Sequence, residues 1–102
     1  MKVVLSAQAE ADLEDIGDCI ALDNPRRALT FIQELRESCE NLATRHKAFP
    51  LVPRYADLGV RRRLHGNYMI FYHAGPAAIE VLHILHGAMD VDAALFPARG
   101  PD

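Results

Sequence analysis

The residues best equipped for chemistry lie in one basic run, Val60-Arg61-Arg62-Arg63-Leu64-His65. Read as a strand, its side chains alternate, so Arg61, Arg63 and His65 share one face and Val60, Arg62 and Leu64 the other. Two guanidiniums and an imidazole in line suit a phosphate or carboxylate, which a forked donor binds through two parallel hydrogen bonds. The same residues also describe a solubilising strand whose long stems lie along apolar surface. The residue types leave both readings open.

Other candidate chemistries are weaker. His83-x-x-His86 invites a metal, but on a strand residues three apart point to opposite faces. No other Cys, His or Asp set has zinc-like spacing, so no metal is expected. Ser6 and Ser38 read as a helix cap and a helix-surface residue, and Cys19 and Cys39 as small buried apolar side chains. Those cysteines fall about 15 Å out of step on two paired helices, too far for a disulfide. With no glycine-rich phosphate loop either, no cofactor is expected.

The elements that position these residues are legible from periodicity. Lys2–Leu5 is a short β-prone run ending at Ser6, a good helix N-cap. From Ala7 to about Leu22, Ala9, Leu13, Ile16 and Ile20 recur at steps of 4, 3 and 4, which predicts a helix. Asn24-Pro25 supplies the cap and first-turn proline of a second helix with the seam Ala28, Ile32, Leu35, Cys39 and Leu42. Two seams joined by so short a turn predict an antiparallel hairpin. After Arg45 the period dies, and Pro50, Pro53 and Leu58-Gly59 mark an extended linker. Three strands follow, Val60–His65, Tyr68–His73 and Ile79–Leu85, separated by Gly66-Asn67 and Gly75-Pro76. Asp90–Phe96 is expected to form a last helical turn before a frayed tail at about 97–102.

The 102 residues, half of them apolar and a quarter charged, describe a single domain with a core of its own. No apolar run approaches a membrane span, and the N-terminal one is too short for a signal peptide, so a cytoplasmic protein is expected. The net charge of −3 argues against a general nucleic-acid binder, but it is unevenly spread. Residues 7–46 carry nine acidic and four basic side chains, and residues 45–65 six basic and one acidic.

Tyr68, Ile70 and Tyr72 share one strand face and Met69, Phe71 and His73 the other; Ile79, Val81, His83 and Leu85 share a face opposite Glu80, Leu82, Ile84 and His86. Both strands are apolar on both sides, and a helical hairpin covers only one. The second face calls for a cover, which is read first as a partner protein and second as residues 44–58 or 90–102 folded over it.

The order of these elements, with Asn24-Pro25-Arg26-Arg27-Ala28, Phe49-Pro50, Gly59-Val60-Arg61-Arg62-Arg63, Gly66-Asn67-Tyr68-Met69-Ile70-Phe71-Tyr72 and Val81-Leu82-His83-Ile84-Leu85-His86-Gly87, closely resembles ParE toxins of the RelE/ParE toxin–antitoxin superfamily. The resemblance spans roughly residues 2–96. It implies an α+β domain in which an N-terminal strand and a helical hairpin join a mainly antiparallel four-stranded sheet. It implies further a toxin that inhibits DNA gyrase by binding, without chemistry of its own, and is neutralised by a ParD-like antitoxin. That antitoxin carries a DNA-binding region, so contact with DNA would be indirect, and its C-terminal segment wraps the toxin.

Under this reading antitoxin contact is expected on an exposed sheet face and the outer groove of the hairpin, with Leu13, Ile16, Tyr68, Ile70, Tyr72, His83 and Leu85 as candidates. Arg61, Arg63, His86, Met89 and Phe96 are the candidates for target contact. RelE-like relatives instead cleave messenger RNA on the ribosome, which needs a base, an acid and a cation for the phosphate. In that alternative Arg61, Arg63, His65 and His86 would be catalytic. The chain departs from both patterns: it has no tyrosine after Tyr72, and His83 and Met89 stand where many ParE relatives carry arginine. A third reading is therefore an assembly module with weakened toxicity.

Overall fold

The computed structural model describes residues 1–87; Met89, Phe96 and the turn expected at Asp90–Phe96 lie outside the described residues. Strand β1 (Lys2–Leu5) leads into helix α1 (Ala7–Ala21) through Ser6, whose hydroxyl accepts the Ala9 amide at 3.0 Å. The same hydroxyl donates to the Leu82 carbonyl at 2.9 Å, so one cap also fixes α1 to the sheet. Helix α2 (Pro25–Glu40) starts as expected at Asn24, whose side chain accepts the Arg27 amide at 3.1 Å. A further helical turn, α3 (Leu42–Arg45), continues its seam. Two 3₁₀ turns, His46–Ala48 and Pro53–Leu58, occupy the linker before β2 (Val60–His65), β3 (Tyr68–Ala74) and β4 (Ala78–His86). Among the described residues, left-handed backbone is confined to Gly59 and Gly66, at the linker's end and the β2–β3 turn.

The sheet order is β1-β4-β3-β2, with β1 parallel to β4 and the other pairs antiparallel. The helices cover one face. Leu13, Ile16, Leu35, Cys39 and Leu42 meet Ile70, Tyr72, Ile79, Val81 and Ile84 in the main core. Burying a side chain of this size contributes about 1.5–3 kcal/mol, so this layer holds the hairpin down.

Three expectations are corrected. The second sheet face has an internal cover: Tyr55 is buried and Val52 half-buried against Val60, Met69, Phe71 and Leu85. The prolines that end helical periodicity also lay this linker along β2, with Val52 donating to the Val60 carbonyl at 2.8 Å and Arg62 to that of Pro50 at 3.0 Å. The strict alternation expected along β4 fails at a bulge. Phe71 faces His83 but Tyr72 faces Val81, which leaves Leu82 unopposed. Beyond it the faces exchange, so Ile84 joins Ile79 and Val81 under the helices and Leu85 points into the second cluster. Finally, Cys19 is exposed because it falls one step off the Ile16–Ile20 seam, whereas Cys39 is buried.

Candidate functional site: the outer groove of the helical hairpin

Small residues set the separation of the two helices. A Cβ placed on Gly17 would stand 3.3 Å from Ile32 Cγ1, so the bare backbone of α1 lets Ile32 approach closely. With Ala21 and Ala28 this leaves an open trough of about 730 Å³ on the solvent side of the hairpin. Leu13, Gly17, Ala28, Leu29 and Ile32 supply its apolar lining. Leu29 is 77% exposed although it is a large aliphatic residue. The trough's α1 edge carries Glu10, Glu14 and Asp18, and Arg36 stands on the α2 side. Arg36 pairs with Glu10 at 2.8 Å across one end.

The sequence-predicted antitoxin residues distribute differently. Leu13, Ile16, Ile70, Tyr72 and Leu85 are each buried within the chain, so they support surfaces and do not present one. Leu13, Ile16, Ile70 and Tyr72 are buried where the helices meet the sheet, and Leu85 is turned by the bulge into the cluster under the linker. Leu13 still contributes to the trough's floor. Tyr68 is half-buried and stacks edge-on with His86, their ring centres 5.3 Å apart. Those two rings, with Ile16, Leu85, Asp12 and Asp15, line a second hollow of about 230 Å³ where α1 meets the strand ends. His83 Nδ1 is 3.1 Å from Oδ2 of Asp12 on α1, and the same oxygen accepts the Ile84 amide at 3.0 Å. One carboxylate thus holds the bulge and the helix together, and the residue at a customary arginine position has an internal partner.

The basic row does share a face, as its alternation requires, but that face is turned toward the helices. Arg61 donates to the Phe49 carbonyl at 2.7 Å. Arg63 donates to the Ser38 carbonyl at 2.9 Å and to Asn41 Oδ1 at 3.1 Å, with its guanidinium over the Phe49 ring. Both cations therefore brace the end of α2 and the linker. Ser38, expected on a helix surface, is buried, with Oγ 2.9 Å from His65 Nδ1. His65 Nε2 lies 3.7 Å from Glu34, whose carboxyl is held below its ordinary range chiefly by the Arg27 hydrogen bond, with His65 adding to it. This is a serine–histidine–carboxylate contact, but the hydroxyl sits near a helix C-terminus, whose dipole disfavours an oxyanion. Burial pushes the Cys39 thiol up to about 12, which makes it a poor nucleophile. Among the described residues no group of three His, Cys, Asp or Glu side chains is arranged to hold a metal.

Sequence reasoning anticipated the outer groove but missed the residues that form it: Gly17, Ala21, Leu29 and Ile32. The available signal was the pair of small residues at Gly17 and Ala21, one turn apart beside the seam, facing a leucine off the α2 seam.

Two solved structures of similar shape come from toxin–antitoxin systems. One, described as the chromosomal ParDE system of P. aeruginosa, matches with a TM-score of 0.74 at 22% identity, over 84% of this chain and 95% of that one. Another, the RelBE2 complex of Mycobacterium tuberculosis, matches with a TM-score of 0.54 at 17% identity, over 83% and 95%. At those identities they show the shared fold alone. In sequence, the ParE1 toxin of M. tuberculosis strains CDC 1551 / Oshkosh and ATCC 25618 / H37Rv is 32% identical over 99 residues, covering 89% of this chain and 94% of the relative. The family model described as ParE toxin of the type II toxin–antitoxin system parDE matches residues 3–91, from the first strand through the basic row and the bulged β4. The chain belongs to the ParE toxin family of type II toxin–antitoxin systems.

Proposed function

We propose that this ParE-family toxin acts in the cytoplasm by binding DNA gyrase, without catalysing a reaction of its own. A ParD-like antitoxin silences it in a hetero-oligomeric complex by laying an amphipathic segment in the α1–α2 trough. The observation that carries the antitoxin half is the apolar trough itself, with Leu29 77% exposed on a hairpin whose other large aliphatic side chains mostly serve the core. The gyrase half rests on family membership and on the arginines: Arg61 and Arg63 are engaged on main-chain carbonyls, which leaves them poorly placed to travel to a scissile phosphate. His86, at the exposed end of β4, and Met89 and Phe96 beyond it are the target-contact candidates.

The deciding experiment is to induce the chain alone in bacteria and follow labelled thymidine against labelled amino acid. DNA synthesis falling first is the expected result. Protein synthesis falling first would replace this reading with messenger-RNA cleavage and direct attention to Arg61, Arg63, His65 and His86. For the partner, a ParD-like protein encoded beside the toxin should bind the wild-type chain and lose affinity for Leu29→Lys.

A further inference from the structure

The trough is apolar along its floor but electrically one-sided along its edges. On the α1 edge, Glu10 is neutralised by Arg36, whereas Glu14 and Asp18 have no ion pair or side-chain hydrogen bond among the described residues. They stand four residues apart, about 6 Å along the helix axis, close enough to repel each other. The α2 side contributes Pro25, Ala28, Leu29 and Ile32, and no cation reaches across from it at this level. Two like charges beside exposed apolar surface are therefore left for an incoming chain to neutralise. The segment 7–46 that builds the trough carries nine acidic and four basic side chains, so the surrounding field has the same sign.

We infer that Glu14 and Asp18 are specificity determinants for the trough's occupant: an amphipathic helix whose apolar stripe is bordered on the α1 side by Lys or Arg at i and i+4. This deepens the antitoxin reading and rests on it. The i, i+4 spacing follows because a helix lying along α1 repeats at the same 5.4 Å pitch, so one charge meets each carboxylate. The apolar stripe drives binding, while the paired charges discriminate between partners of similar hydrophobicity, because an acidic border would bring like charges together beside a desolvated surface. The closed end, where Arg36 already has a carboxylate, makes no such demand.

The test is a displayed library of amphipathic helices with a fixed Leu/Ile stripe and randomised flanking positions, selected on the full chain and, in parallel, on Glu14→Gln/Asp18→Asn. Selection on the wild type should enrich Lys and Arg over Asp and Glu at one i, i+4 pair by about fivefold, as expected for two half-screened pairs. The double variant should lose that bias while still binding the same stripe. Equal bias on both proteins, or none on either, overturns the charge rule. Leu29→Lys separates the two levels of the argument. If the selected helices lose binding to it but show no charge preference, the trough stands and the charge rule falls. If they bind it undiminished, they sit elsewhere, and the trough as docking site falls as well.

Discussion

The basic strand and the acidic hairpin look like equal and opposite surfaces in the sequence, yet the fold treats them differently. Arg61 and Arg63 are turned inward, each donating to a main-chain carbonyl, and Arg63 also covers Phe49. Glu14 and Asp18, which read as ordinary solvated positions, have no partner among the described residues at the edge of an open apolar trough. A row of charge is therefore no guide to a binding surface. What distinguishes the two regions is whether the chain itself supplies the counter-group, and helix ends with unpaired carbonyls supply it to arginines readily.

The largest expected effect belongs to the carboxylate that does have internal partners. Asp12→Ala removes the acceptor for the Ile84 amide and the partner of His83 Nδ1, leaving a buried N–H unsatisfied, and should cost about 3 kcal/mol in urea denaturation. Asp12→Asn, which keeps one acceptor oxygen, should cost less. Next comes Arg63→Met, which keeps the stem over Phe49 but abandons the Ser38 carbonyl and Asn41; a loss of about 2 kcal/mol is expected. A loss under about 0.5 kcal/mol, the range of an ordinary surface change, would mean the arginine is free after all and would restore the basic row as a surface.

Thiol chemistry sharpens the contrast between the inner and outer sides of the hairpin. Cys19 is exposed and Cys39 buried, so a thiol reagent should modify one cysteine in the native protein and both in urea. The pH dependence has a definite sign. Burial raises the Cys39 thiol from its ordinary 9.0 to about 12 in the folded chain, so the unfolded chain ionises first. Below pH 9 the protonated thiol's contribution to stability is fully present; it is lost progressively as pH rises from about 9 to about 12. Cys39→Ala should flatten that alkaline limb of the stability curve, while Cys19→Ala should leave it unchanged.

The elements themselves were legible because local chemistry and pattern agree: Ser6 and Asn24 both cap as their types suggest, and steps of three and four along α1 and α2 identify the buried seam. What failed was long-range. Alternation placed Leu85 beside Val81, but the extra residue at Leu82 reverses every side chain beyond it, and no turn or glycine signal marks a bulge of this kind. Strands apolar on both sides favour a partner as the cover of the second sheet face, whereas Pro50 and Pro53 flank the segment of the chain that carries Val52 and Tyr55 over Met69 and Phe71. For the site, the outer groove was expected but its lining was not. Gly17 matters there through what it omits, a Cβ that would press on Ile32, and such an omission is visible only once the two helices are placed together.

The smallest effect carries the sharpest information about the two regions. Glu14→Gln/Asp18→Asn removes two like charges one turn apart that have no partner among the described residues. Relief of their repulsion should therefore stabilise the free chain slightly, by about 0.2–0.5 kcal/mol at low salt, and the gain should fade as salt screens the pair. The same variant should bind a ParD-like antitoxin less tightly, with a weaker salt dependence than the wild type. Opposite signs for folding and for binding are the signature of charges kept at the trough's edge for a partner and not for the fold. If the substitutions destabilise the free chain instead, Glu14 and Asp18 have counter-groups within it, and the hairpin and the basic strand become two versions of the same internally satisfied surface.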